Sequence, residues 1–133
     1  IDAGADVIIC SHPHVVQLTE TVTTGEGNEG LVCYSLGNFV SNQPDAQTVL
    51  GESASIVLEK PRQGASDGVR ARVASCEMIP TVCHYSEGTT RVNLLKDYTN
   101  ELAASHYLNS VEPGSVTLDG LRDQWVGLTK HEE

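Results

Sequence analysis

Gly4-Ala5-Asp6-Val7-Ile8-Ile9-Cys10-Ser11-His12-Pro13-His14 is the stretch from which the rest of the chain is read. Val7 to Cys10 is an unbroken apolar run, the composition of a strand buried on both faces. Upstream, Ile1 to Asp6 has the form of the last turn of a helix, with Gly4 as its stop. A helix needs more residues than these to form. The expectation is therefore a single unit, residues 1–133, that is the C-terminal portion of a larger domain, its missing N-terminal part covering some of the surface. Downstream, Pro13 biases His12 toward extended backbone, and histidines at i and i+2 of an extended segment project to one side. Sheets of the α/β kind place ligands at the carboxyl ends of strands, where this pair falls. Neutral imidazole is the commonest protein ligand for divalent transition metals, so His12 and His14 are candidate metal ligands. On spacing alone, surface histidines at a strand end are the alternative. Cys10 would share their face in a straight strand, but it closes an apolar run and is assigned to the core.

Working outward, Val15–Thr24 and Leu31–Leu36 are expected to form a hairpin around Gly25-Glu26-Gly27-Asn28-Glu29-Gly30. Gly37-Asn38 breaks the second strand, Phe39 is expected to return to the core, and Ser41 to Gln47 reads as a polar loop. Further strands are expected at Ala54–Glu59, Val69–Ile79 and Thr89–Leu94. Within Val69–Ile79 the residues Val69, Ala71, Val73 and Ser75 share one face; Pro80 interrupts, and Thr81–Tyr85 resumes. Leu95, Tyr98, Leu102 and Ala103 have the spacing of one helix face over Leu95–Leu108. A short helix over Asp119–Leu128 follows Pro113-Gly114, with Leu121, Trp125 and Leu128 as its docking stripe. The fold class is α+β: a β-rich body with one or two helices near the C-terminus.

The 133 residues carry 18 Asp and Glu against 8 Lys and Arg, a net charge of −10. Scattered cations on an acidic chain exclude a nucleic-acid binder, which needs clustered Lys and Arg. The same balance disfavours docking onto anionic lipid or polymer without bridging cations. No stretch approaches the roughly 20 apolar residues of a membrane span. Four cysteines are too few for a disulfide scaffold; Cys33 is expected as a buried thiol, and Cys76 and Cys83 could pair across Pro80 in an oxidising compartment. His84, His106 and His131 show no partner pattern and are expected in solvent.

Residues 4–17, together with Tyr34-Ser35-Leu36-Gly37-Asn38-Phe39-Val40, resemble the end of the catalytic domain in the bacterial capsule-synthesis CapA family. Members are also called poly-gamma-glutamate biosynthesis proteins and are related to calcineurin-like metallophosphoesterases. The resemblance covers the first third of the chain. It implies a metallophosphoesterase-like β-sandwich flanked by helices, with two divalent metals (Mn, Fe or Zn) at a sheet edge. His12 and His14 match the late His-x-His motif, whose histidines ligate the metals in related phosphoesterases. The superfamily's other ligands would lie upstream of Ile1, so this chain alone is expected to bind metal weakly and catalyse nothing. Cys10-Ser11 stands where relatives commonly carry Gly-His. Asn38 is either a structural corner or a group facing the metal pocket, where it would bind substrate.

The implied setting is the cell surface, outside the cytoplasm, with membrane anchorage through the parent protein and the capsule-polymer machinery as partner. Activity is of metal-dependent hydrolase type, if the parent is an enzyme. The alternative is a non-catalytic β-rich binding module of the cell surface, its histidines incidental. Exposed sheet surface would also invite pairing with a second copy.

Overall fold

The computed structural model describes residues 1–60 and 70–129. It has α+β architecture: two three-stranded sheets followed by short helices. The first sheet has β1 (Val7–Ile9), β2 (Thr19–Thr23) and β3 (Glu29–Cys33) in the order β1-β3-β2. β1 runs parallel to β3, and β2 antiparallel. The expected hairpin is thus present, with Thr19 opposite Cys33 and Thr23 opposite Glu29. The second sheet is an antiparallel meander of β4 (Leu50–Glu59), β5 (Arg72–Ser86) and β6 (Thr89–Leu94).

Several local expectations give way to tertiary context. β1 is an edge strand, so Val7 and Ile8 are half-buried, Ile9 is 54% exposed, and Cys10 lies at the surface rather than in the core. The inward burial goes to β3, flanked on both sides, where Leu31, Val32 and Cys33 are buried. Phe39 is likewise exposed, at 60%.

Pro80 does not interrupt β5. Cys83 donates its N–H to Val49 O, on the β4 side. By strand alternation Pro80's nitrogen faces the other way, where the ladder with β6 has already ended at the Thr81–Leu94 pair. Opposite Ala74, a register shift between Val57 and Leu58 inserts one extra residue into β5. The inward phase therefore passes from Val73 to Cys76 and Met78, which ends the face expected from Val69 to Ser75. Position 69 lies outside the described residues. Extended β5 also holds Cys76 and Cys83 roughly 23 Å apart, so they form no disulfide.

The expected Leu95–Leu108 helix is three short turns: a 3-10 turn at Leu95–Asp97, α1 (Asn100–Ala104) and α2 (Tyr107–Val111). Side chains impose the breaks. Thr99 Oγ1 accepts from Leu102 N–H to start α1, and His106 Nδ1 accepts from Leu108 N–H to start α2. The last helix, α3 (Leu118–Thr129), matches its expected span, with Leu121 buried and Trp125 and Leu128 packed against the core. That core gathers Val16, Val49, Leu50, Val82, Tyr98, Leu108 and Leu118, joining the β4 start, the β5 end and the helices. At the far end of the ribbon, Val57 and Leu58 stay exposed. Arg70 ties the chain start to β5, pairing with Asp6 at 2.9 Å and donating to Ile1 O and Ala5 O.

Candidate metal centre at the His12 to His14 bend

The segment after β1 stays fastened to the one after β3. Cys10 donates to Cys33 O and accepts from Leu36 N–H, and Ser11 Oγ donates to Gly37 O. The chain then turns rather than continuing as a strand, because His14 adopts a left-handed backbone with φ of 63°. Strand alternation therefore does not align His12 with His14, and Cys10 does not join them on a common strand face. Both histidines are exposed. A non-glycine residue at positive φ is uncommon and costs about 1 kcal/mol or more unless its surroundings hold it there.

Asn38 supplies that hold. It is 8% exposed, and its Oδ1 lies 2.8 Å from His14 Nδ1. Its Nδ2 donates to Thr48 O at 3.1 Å, which identifies Oδ1 as the acceptor facing His14. His14 Nδ1 therefore carries the proton, and in the neutral ring the lone pair is on Nε2. A hydrogen bond that fixes one ring nitrogen and leaves the other as donor to a cation is the usual support of a metal-ligating histidine.

Two glycines seat Asn38. Gly37 has φ of 66°, and a Cβ there would come within 2.9 Å of Leu50 O. Gly51, bridged to Gly37, would drive a Cβ into Asn38 O. Only glycines let the two backbones approach this closely. The engagement of Asn38 with His14 was not readable in the sequence, since the partners are 24 residues apart.

The donors suit a borderline divalent cation. Among the described residues, however, no group of three or more His, Cys, Asp or Glu side chains converges to hold an ion.

The two other described histidines are not in solvent. His84 and His106 are 3% and 1% exposed, because β5 and the helical segment close over them. His84 Nδ1 lies 2.7 Å from Tyr98 Oη, and His106 Nε2–H donates to Cys83 O at 3.2 Å. The rings meet edge-on with centroids 5.3 Å apart, and Tyr85 packs on His106 at 4.4 Å. Desolvation lowers both imidazole pKa values; Arg91 adds to this at His84, and at His106 the Cys83 carbonyl opposes it. Burial pushes the Tyr98 phenol up. This cluster is an anchor for the helices. A polar residue at a helix start, His106 before Leu108, is the one sequence signal that could have marked it. His131 lies outside the described residues.

Two of the comparisons with known proteins bear on this first third of the chain, and one extends beyond it. Residues 1–43 match the family model for bacterial capsule synthesis protein PGA_cap. Over 43 residues the chain is 46% identical to capsule biosynthesis protein CapA of Bacillus anthracis, covering 32% of this chain and 9% of that protein. Over 118 residues it is 28% identical to PGA biosynthesis protein CapA of Bacillus subtilis strain 168, covering 89% of this chain and 28% of the relative. The chain thus spans less than a third of the length of either relative. No solved structure matches it significantly. The two motifs and the bend between them lie inside the matched region, so over its first 43 residues the chain is similar to bacterial capsule synthesis proteins.

Proposed function

We propose that this chain supplies His12 and His14 to a divalent-metal centre, binuclear in the intact protein, of a CapA-like protein that makes or exports a capsule polymer of the poly-gamma-glutamate type. The observation that carries the reading is the Asn38 bond to His14 Nδ1, which leaves Nε2 as a lone-pair donor at an exposed bend. The energetic cost of a left-handed histidine at that place adds to it. Remaining ligands would come from sequence outside these 133 residues, as the greater length of the relatives allows. Mn, Fe or Zn would suit the donors.

When bound, such ions polarise a phosphoryl oxygen and lower the pKa of a bound water, the chemistry of a phosphoesterase or related hydrolase. In that setting His12 and His14 act as ligands rather than bases, and Asn38 is a positioning residue. The relatives' names, capsule and PGA biosynthesis, support an assignment to the cell envelope. No helix among the described residues is long and apolar enough to cross a membrane.

The test is metal analysis of a protein extended to the length of the relatives. Stoichiometric Mn, Fe or Zn is expected, lost on the double change His12→Ala and His14→Ala. Asn38→Ala should weaken affinity roughly 10- to 100-fold with the fold intact. A well-folded longer protein without metal, or a double variant that keeps it, overturns the proposal in favour of a non-catalytic binding module.

A further inference from the structure

A cleft of about 380 Å³ lies between β2, the β4–β5 ribbon and α3, within the size range of small-molecule sites. Leu18, Met78, Trp125 and Leu128 form an apolar part of its wall. Gln17, Thr19, Glu20, Thr21 and Glu52 form the polar part of the lining, and two of them carry buried atoms without a partner. Glu52 is 6% exposed, and its Oε1 is buried without a hydrogen-bond partner. Thr19 Oγ1 is also buried and unpartnered. Buried polar groups are normally satisfied, and an orphaned carboxyl is among the costlier exceptions.

Charge indicates what would satisfy it. Among the described residues no Lys, Arg or His lines the cleft, whereas Glu52 and Glu20 both do. Glu20 already accepts from Tyr34 Oη at 2.8 Å, so Glu52 is the carboxyl left to engage. No described residue of the cleft supplies the complementary charge, on a chain of net charge −10.

We propose that this cleft binds a small organic ammonium ion, an alkyl- or arylamine whose hydrocarbon body lies against Trp125, Met78 and Leu128 and whose ammonium engages Glu52 and Thr19. An ammonium has three N–H donors and no acceptor, which matches a carboxylate and a hydroxyl oxygen lining one cleft. The Trp125 indole offers the further attraction of a ring face for a cation. Desolvation raises the Glu52 pKa from 4.5 to about 7 in the unliganded protein. Docking the ammonium ionises that carboxyl, and the displaced proton passes to solvent. Affinity therefore rises with pH while the amine remains protonated. The other titratable groups lining the cleft are Glu20 on β2 and Cys76 on β5; the lining residues of α3, Trp125 and Leu128, do not titrate.

The probe is 2-phenylethylamine, with 2-phenylethanol as its uncharged counterpart, and the readout is fluorescence of Trp125, the only tryptophan of the chain. A saturable change is expected at millimolar or lower concentration, roughly tenfold tighter at pH 8 than at pH 5.5, with the alcohol at least about tenfold weaker. Glu52→Gln, nearly isosteric, should abolish the preference for the amine and its pH dependence. Thr19→Val should weaken the amine a few-fold, and far-UV circular dichroism confirms that both variants fold. Absence of a saturable signal, equal affinity for amine and alcohol, or unaltered binding by a folded Glu52→Gln protein would each overturn the assignment.

Discussion

The molecule holds two pairs of histidines in opposite circumstances. His12 and His14 are neighbours in sequence, exposed, and set on a bend whose backbone is strained. His84 and His106 are 22 positions apart by their numbering, buried, and satisfied by Tyr98, Cys83 and Leu108. In the first pair the supporting bond, Asn38 to His14, engages one ring nitrogen and leaves the other open. In the second, both nitrogens of His106 are used internally. Imidazoles whose hydrogen-bonding capacity is exhausted hold structure, whereas an imidazole with a spare lone pair at the surface is available for chemistry.

The largest effect that would test this contrast comes from the buried pair. His106→Ala removes a cap and a bond to Cys83 O and leaves a void under Tyr85, so urea denaturation should show a loss of about 2–4 kcal/mol. A loss no greater than that from a surface substitution would dissolve the distinction between the pairs.

Next in size is the pH dependence. Folding lowers the His84 and His106 pKa values below 6.5, so below that pH the unfolded chain binds protons more readily than the folded one. The stability they contribute is present above 6.5 and declines as the pH falls toward their folded values. Glu52 has the opposite sign. Its pKa is raised from 4.5 to about 7, so its contribution is complete below 4.5 and lost as the pH rises through 7. Between these values the two effects oppose each other. Urea midpoints of Glu52→Gln should therefore rise more steeply from pH 5 to 7 than those of the unaltered protein. Glu52→Gln should also be the more stable at pH 8, by roughly 1–3 kcal/mol.

Smaller still is Asn38→Ala, which strands Thr48 O and frees His14, at roughly 1–2 kcal/mol. Nitrogen NMR of the imidazoles should then show His14 losing its Nδ1-protonated preference, while His106 keeps its Nε2–H form. Smallest is His12→Ala, expected within about 0.5 kcal/mol by denaturation, as for an exposed residue outside any network.

How far each feature was legible follows the same division between near and distant partners. The Gly25-to-Gly30 turn and the alternation around it are local, and the hairpin reads directly from them. The α3 stripe is also local, set by helical spacing. Whether Pro80 ends a strand depends on where β6 stops, which no pattern near Pro80 encodes. An apolar run such as Val7 to Ile9 does not reveal whether both of its flanks are covered. At the site, the candidate histidines were visible from spacing and motif, but the residue that sets His14's tautomer required knowing that Gly37 and Gly51 bring two strands together. Glu52 was hidden for the same reason. Between Gly51 and Ser53 it looks like an ordinary solvated side chain, and only the closure of β2 and α3 over it makes it a buried acid.

The early end of β6 has a consequence for self-association. Among the described residues, no strand pairs with that flank of β5 from Arg72 to Pro80. At Pro80 the ring nitrogen that points there has no hydrogen to offer, so an incoming strand finds a missing rung beside the rim of β6. Along the described part of β5 a proline thus guards the unpaired flank against being zipped to a neighbour.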